Sequence, residues 1–287
     1  DGQGDGGSPD SAALPDIAPI GDAMVRLDPL KNVAEGHFAT SLRCADCHAN
    51  ATNAEAMRDE KKRPIAPFDL WRASPMANAS RDPIWRAVVS AEVAALPALR
   101  GAIEERCMNC HAPMAYTQAI KNKEPPVSMA LITGSDNRSQ LALDGVSCTL
   151  CHQIKPDQLG TAASFSGHFA INDQKQIYGP HQNLFTTPMA NQTGGFTPTP
   201  AAHMGKSSLC GSCHTLFVDT FDKNGQSTGV SFAEQTPYLE WRNSVYSTES
   251  ATPAAQAKDC QDCHMPKQSA DGVAISTAVA RRPDGSD

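Results

Sequence analysis

The sequence predicts a mainly α-helical chain with much irregular structure, built from short helices and one β-hairpin near residues 215–234. Two observations predict it. All ten cysteines fall in Cys-x-x-Cys-His pentapeptides spread along the 287 residues. Between them, the apolar stripes are short and are bounded by proline, glycine and asparagine.

The elements follow in chain order. Residues 1–23 are rich in Gly, Asp, Pro and Ala and read as a flexible leader or tether; residues 24–287 read as one domain. Asp82-Pro83 supplies an N-cap and a first-turn proline for a helix carrying Ile84, Trp85, Val88, Val89 and Val93. Leu99 to Cys110 reads as a second helix, running into a pentapeptide. Ser207 is placed to cap a turn into another. Thr236-Pro237, ahead of Tyr238, Leu239, Trp241 and Val245, repeats the Asp-Pro arrangement. Phe217, Val218 and Phe221, then Asn224-Gly225, then Val230 and Phe232 read as the hairpin. Pro125-Pro126, Gly134 and the run from Thr186 to Pro200 read as long loops.

The pentapeptides carry the chemistry. They are Cys44-Ala-Asp-Cys47-His48, Cys107-Met-Asn-Cys110-His111, Cys148-Thr-Leu-Cys151-His152, Cys210-Gly-Ser-Cys213-His214 and Cys260-Gln-Asp-Cys263-His264. This is the c-type haem attachment signature: two thiols add to the haem vinyl groups and the adjacent histidine ligates iron. Shuffling this composition gives on the order of 0.01 matches per chain. A disulfide scaffold leaves the five histidines unexplained. Zinc or iron–sulfur sites need paired Cys-x-x-Cys units around one metal, whereas these units start 63, 41, 62 and 50 residues apart. Five covalently bound haem c groups are therefore expected. With about 57 residues per haem, 287 divided by 5, the haems are expected to be the core, and the Trp and Tyr residues to pack on their faces.

Counting histidines raises a further point. Nine are present and five are spent in the pentapeptides, which leaves His37, His168, His181 and His203 for five distal positions. His37 and His203 each sit seven residues before a first haem cysteine, and so are expected to reach a neighbouring haem rather than their own. The fifth iron takes a methionine, takes a ligand from a partner protein, or stays five-coordinate. Met76, in Trp71-Arg72-Ala73-Ser74-Pro75-Met76, is the leading methionine. Met108 and Met265, inside or beside pentapeptides, are too constrained to reach a far haem face.

The net charge is −7 before haem propionates are counted. That argues against nucleic acid and anionic lipid as partners and mildly favours a basic redox protein. No run of 18 apolar residues marks a transmembrane helix. The chain begins at Asp1 and reads as processed. Haem thioethers are made outside the bacterial cytoplasmic membrane, so the expected location is periplasmic or extracellular, with a tether to the outer membrane compatible with the leader.

One longer pattern carries a resemblance. Phe68-Asp-Leu-Trp71-Arg-Ala-Ser74-Pro-Met76 continues through Arg81-Asp82-Pro83, and Cys107-x-x-Cys110-His111-Ala-Pro follows. Asp144-Gly-Val-Ser-Cys148, Ser208-Leu-Cys210-Gly-Ser-Cys213-His214 and Cys260-Gln-Asp-Cys263-His264-Met265-Pro266 complete it. Over residues 37–266 this resembles the exported multihaem c-type cytochromes of bacteria. More distantly it is similar to the superfamily of the tetrahaem cytochrome of ammonia oxidisers and octahaem hydroxylamine oxidoreductase. The resemblance implies a fold packed around a chain of haems in stacked and T-shaped pairs. It also implies more chain after the last His-Met-Pro, often with another histidine; here 21 residues follow Pro266 and none is histidine.

The leading expectation is an electron-transfer protein without a catalytic site. One alternative is a subunit that self-assembles into a conductive extracellular filament. Another is a reductase of a small nitrogen or sulfur compound at an open haem. Pentahaem nitrite reductases typically carry lysine in one motif, and all five motifs here keep histidine.

Overall fold

Proline and aspartate start the helices. The computed structural model describes residues 29–275 except 55 and 223; the expected leader lies outside these residues. Four helices open on a proline, whose fixed φ suits the first turn and whose missing N–H costs nothing there. They are α2 (Pro67–Arg72), α3 (Pro83–Ala95), α5 (Pro113–Asn122) and α10 (Pro237–Arg242). Asp82 caps α3 as expected, its side chain accepting from the Ile84 N–H at 2.8 Å. Asp136 caps α6 (Asn137–Leu143) through the Ser139 N–H. The pentapeptides lie on or at the ends of α1 (Ser41–His48), α4 (Arg100–His111), α7 (Cys148–Cys151), α9 (Ser207–Gly211) and α11 (Cys260–His264).

The expected hairpin is present. Strand β5 (Leu216–Phe221) pairs antiparallel with β6 (Ser227–Gln235), and Gly225 takes φ +76° in the turn. The other strands are β1 (Ala34–Glu35) with β2 (Phe38–Ala39), antiparallel, and β3 (Gln176–Gly179) with β4 (Thr197–Pro200), parallel. The described residues are thus mainly helical, with small strand pairs and much irregular chain.

Three local expectations are corrected. Thr186–Thr193 forms a helix, α8, and Thr197–Pro200 forms β4, so Thr186–Pro200 is not one long loop. The chain there is rich in Thr and Pro, but Gly194 in the left-handed region ends α8 and frees the next segment to pair with β3. Ser207 is the first residue of α9 rather than its cap; a carboxylate from far along the chain takes its hydroxyl and N–H. Finally, the polypeptide has its own core. Phe38, Met108, Met114, Leu141, Leu143 and Leu150 are fully buried where β2 and α4–α7 meet. The residues between the first and third pentapeptides supply most of it, which an even share of chain per haem conceals.

Candidate haem-attachment network

A helical turn puts the cysteines at positions 1 and 4 of a pentapeptide, and the histidine at position 5, on one side. That is the donor set one haem needs. No disulfide joins any of the ten cysteines. Among the described residues no three His, Cys, Asp or Glu side chains converge as a metal cluster. Burial pushes the imidazoles of His48, His111, His152 and His214 below the usual histidine range, so they are held neutral, the form that ligates metal. His111 and His152 are also oriented: their Nδ1 atoms lie 2.9 and 2.6 Å from the carbonyls of Ala79 and Tyr178. A ring tied at Nδ1 presents Nε2 outward. These residues fit haem attachment.

The tertiary fold joins the five motifs. The Cys44 and Cys148 side chains lie close enough to perturb each other's thiols, as do Cys110 with Cys213 and Cys210 with Cys260. Cys151 in turn lies close enough to Cys210 and Cys213 to raise both thiols. Each sulfur stands where a haem thioether would be. The attachment points therefore run first–third–fourth–fifth, with the second joined to the fourth.

The spare histidines border this network unequally. His37 and His168 each follow a left-handed glycine, Gly36 (φ +58°) and Gly167 (φ +80°). The left-handed φ at both positions favours glycine, and a Cβ on either would press on the Gln118 or Asn109 side chain. The His37 carbonyl accepts from Gln153, next to His152, and its Nδ1 is buried without a hydrogen-bond partner. Its Nε2 lies 3.3 Å from Asp173. His168 sits beside the fourth motif, because the Gly167 N–H donates to Ser212 O at 2.7 Å. His203 lies across from Tyr178, edge to face at 5.1 Å, with Nε2 2.8 Å from Ile154 O. His181 is exposed between β3 and α8. Met76 is half-buried, and its carbonyl accepts from the Val146 N–H two residues before Cys148. Met108 is buried in the polypeptide core and Met265 is exposed.

Several supporting residues lay outside the sequence reading. Asp144 is 2% exposed and accepts from the Ser41 N–H and Oγ at 2.7 and 2.6 Å, and from Ser147 Oγ. Burial pushes its carboxyl up to about 6, against those hydrogen bonds. Asp259 does the same for Ser207, accepting from its N–H and Oγ, both at 3.0 Å. The indoles of Trp71 and Trp241 donate to Val146 O and Lys258 O. A signal for this was present in the repeated strings Pro67-Phe-Asp-Leu-Trp71-Arg72 and Pro237-Tyr-Leu-Glu-Trp241-Arg242.

Residues 209–284, holding the fourth and fifth motifs, match the family model for cytochrome c554 and c-prime. The match supports a c-type cytochrome. Covalently bound haem c and electron carriage come with that assignment. No curated protein and no solved structure matches the chain significantly. Among the described residues, no helix is long and apolar enough to cross a membrane.

Proposed function

We propose that this cytochrome carries five haem c groups and passes electrons along them outside the cytoplasmic membrane. One observation carries the reading: five complete Cys-x-x-Cys-His sets lie in one network, through the pairs Cys44–Cys148, Cys110–Cys213 and Cys210–Cys260 and the proximity of Cys151 to Cys210 and Cys213. A bound haem supplies one-electron chemistry at iron. The chain's part is to hold each haem covalently, to present neutral histidines, and to keep successive attachment points adjacent. His37, His168, His181 and His203 form the distal set for four irons; Met76, a partner's side chain or an open position completes the fifth. With a net charge of −7, a basic redox protein is the natural electron donor or acceptor.

The mass of the intact holoprotein tests the count. It should exceed that of the polypeptide by five haems. Replacing both cysteines of any one motif by alanine should remove one haem and leave four. A wild-type mass corresponding to fewer than five haems overturns the reading.

A further inference from the structure

The two halves of the network are built alike. His37, Ser41 and Cys44 recur 166 residues later as His203, Ser207 and Cys210 (203 − 37, 207 − 41 and 210 − 44). Pro67 and Trp71 recur as Pro237 and Trp241, 170 residues on (237 − 67 and 241 − 71). The bonds recur with them. Each Trp indole donates to the carbonyl two residues before the first cysteine of a second motif: Val146 before Cys148, Lys258 before Cys260. The N–H of that same residue donates to a carbonyl five positions after the tryptophan, Met76 in one half and Tyr246 in the other. Each half ends with its first and second motifs in thiol contact, Cys44 with Cys148 and Cys210 with Cys260. The second motif, Cys107–His111, falls in the stretch between Trp71 and Val146 and has no counterpart between Trp241 and Lys258.

In both halves a buried carboxylate bonds the serine that opens the first attachment helix, yet it comes from different places. Asp144 precedes its cysteine, Cys148, by four residues; Asp259 precedes Cys260 by one. Retaining a charge at the joint while its chain position changes points to a requirement for the charge. An apolar joint would have avoided the cost of desolvating a carboxylate. Asp144 faces Arg81 from the α2–α3 connection, the Cys44 and Cys148 thiols, and the hydroxyls of Ser41 and Ser147. Asp259 faces Lys206 at 3.8 Å, Thr248, Cys260 and the Asp262 side chain that caps its own N–H.

We infer that the cytochrome contains one haem-pair module used twice, and that Asp144 and Asp259 are positioning residues whose negative charge lowers the reduction potentials of their own haem pairs. Each carboxylate locks the first attachment helix to the second and leaves a fixed anion beside both attachment points. An anion near iron favours the oxidised, more positive state. A unit charge about 10 Å away at an effective dielectric constant of about 20 changes such an equilibrium about tenfold.

The inference rests on the five-haem reading, so the full-length holoprotein is first weighed; a wild-type count below five counts against that reading alone. Spectroelectrochemical titrations at pH 7.5 then compare wild type with Asp144→Asn, Asp259→Asn and Ser41→Ala. Asparagine keeps one of the two acceptor oxygens and removes the charge. Asp144→Asn should raise the reduction equilibrium of two haems about tenfold, and Asp259→Asn should do so for two others. Ser41→Ala, which keeps the carboxylate, should raise none. A purely structural role predicts no upward shift in either asparagine variant. That result, or a shift spread over all five haems, overturns the inference. Either aspartate variant decides the matter if the other loses haem.

Discussion

The indole of Trp85 lies flat against the imidazole of His111, with ring centroids 4.3 Å apart and planes 5° from parallel. Trp85 sits in the first turn of α3 and His111 ends α4, so helix packing sets the orientation of a motif histidine. The Ala79 carbonyl holds the same ring from its Nδ1 side.

Trp85→Leu should therefore free one motif histidine. Offset aromatic stacking contributes about 1 kcal/mol beyond area burial, so the variant should unfold at slightly lower denaturant. In low-temperature EPR of the oxidised holoprotein, one low-spin signal should move while the others stay. Unchanged EPR would show that the stack does not fix the ring.

Gly145 should resist substitution. Its φ is +61°, and a Cβ there would lie 2.7 Å from Met76 O and 2.9 Å from Ala77 O, both backbone atoms. Gly145→Ala is expected to destabilise the protein by more than about 1 kcal/mol. Chemical denaturation followed by far-UV circular dichroism measures this. Gly101→Ala, at a helical glycine with no neighbour within 4 Å of the new Cβ, is the control and should be neutral or stabilising.

Asp144 makes stability depend on pH. Its folded-state pKa of about 6 lies above its ordinary value of 3.8, so the folded state holds the proton more tightly. That contribution is fully present below pH 3.8 and is lost as pH rises through about 6. Wild type should therefore lose stability relative to Asp144→Asn between pH 4 and pH 7, by up to about 3 kcal/mol. Urea unfolding of both proteins at several pH values gives the difference; a constant gap would remove Asp144 as its source.

The distal positions can be separated spectroscopically. Four spare histidines against five irons predict that one haem differs from the rest in EPR of the oxidised protein. If Met76 ligates it, Met76→Leu abolishes the sulfur–iron charge-transfer band. If the position is open, cyanide converts one high-spin haem in five. Five six-coordinate bis-histidine haems would contradict the count within this chain.

How much of this was legible in advance depends on how far apart the interacting residues lie. The proline starts of α3 and α10 and the Asn224-Gly225 hairpin were readable, because capping, φ restriction and turn type act within a few residues. The helix at Thr186–Thr193 was not, since nothing local marks it beyond the Gly194-Gly195 stop. Nor was the polypeptide core around Phe38 and Leu143, assembled across more than a hundred positions.

The pentapeptides belong to the first kind. Two thiols and a histidine within five residues specify an attachment chemistry on their own, so sequence alone determined the covalent chemistry and the side chains proposed to carry it. Which attachment points meet was decided only by the tertiary structure. Cys44 reaches Cys148 because Asp144 bonds Ser41 and because Trp71 bonds Val146, contacts that span 103 and 75 positions. Hydrogen bonds and buried charge at that range leave no periodicity to read, and they exist only once the chain has closed around them.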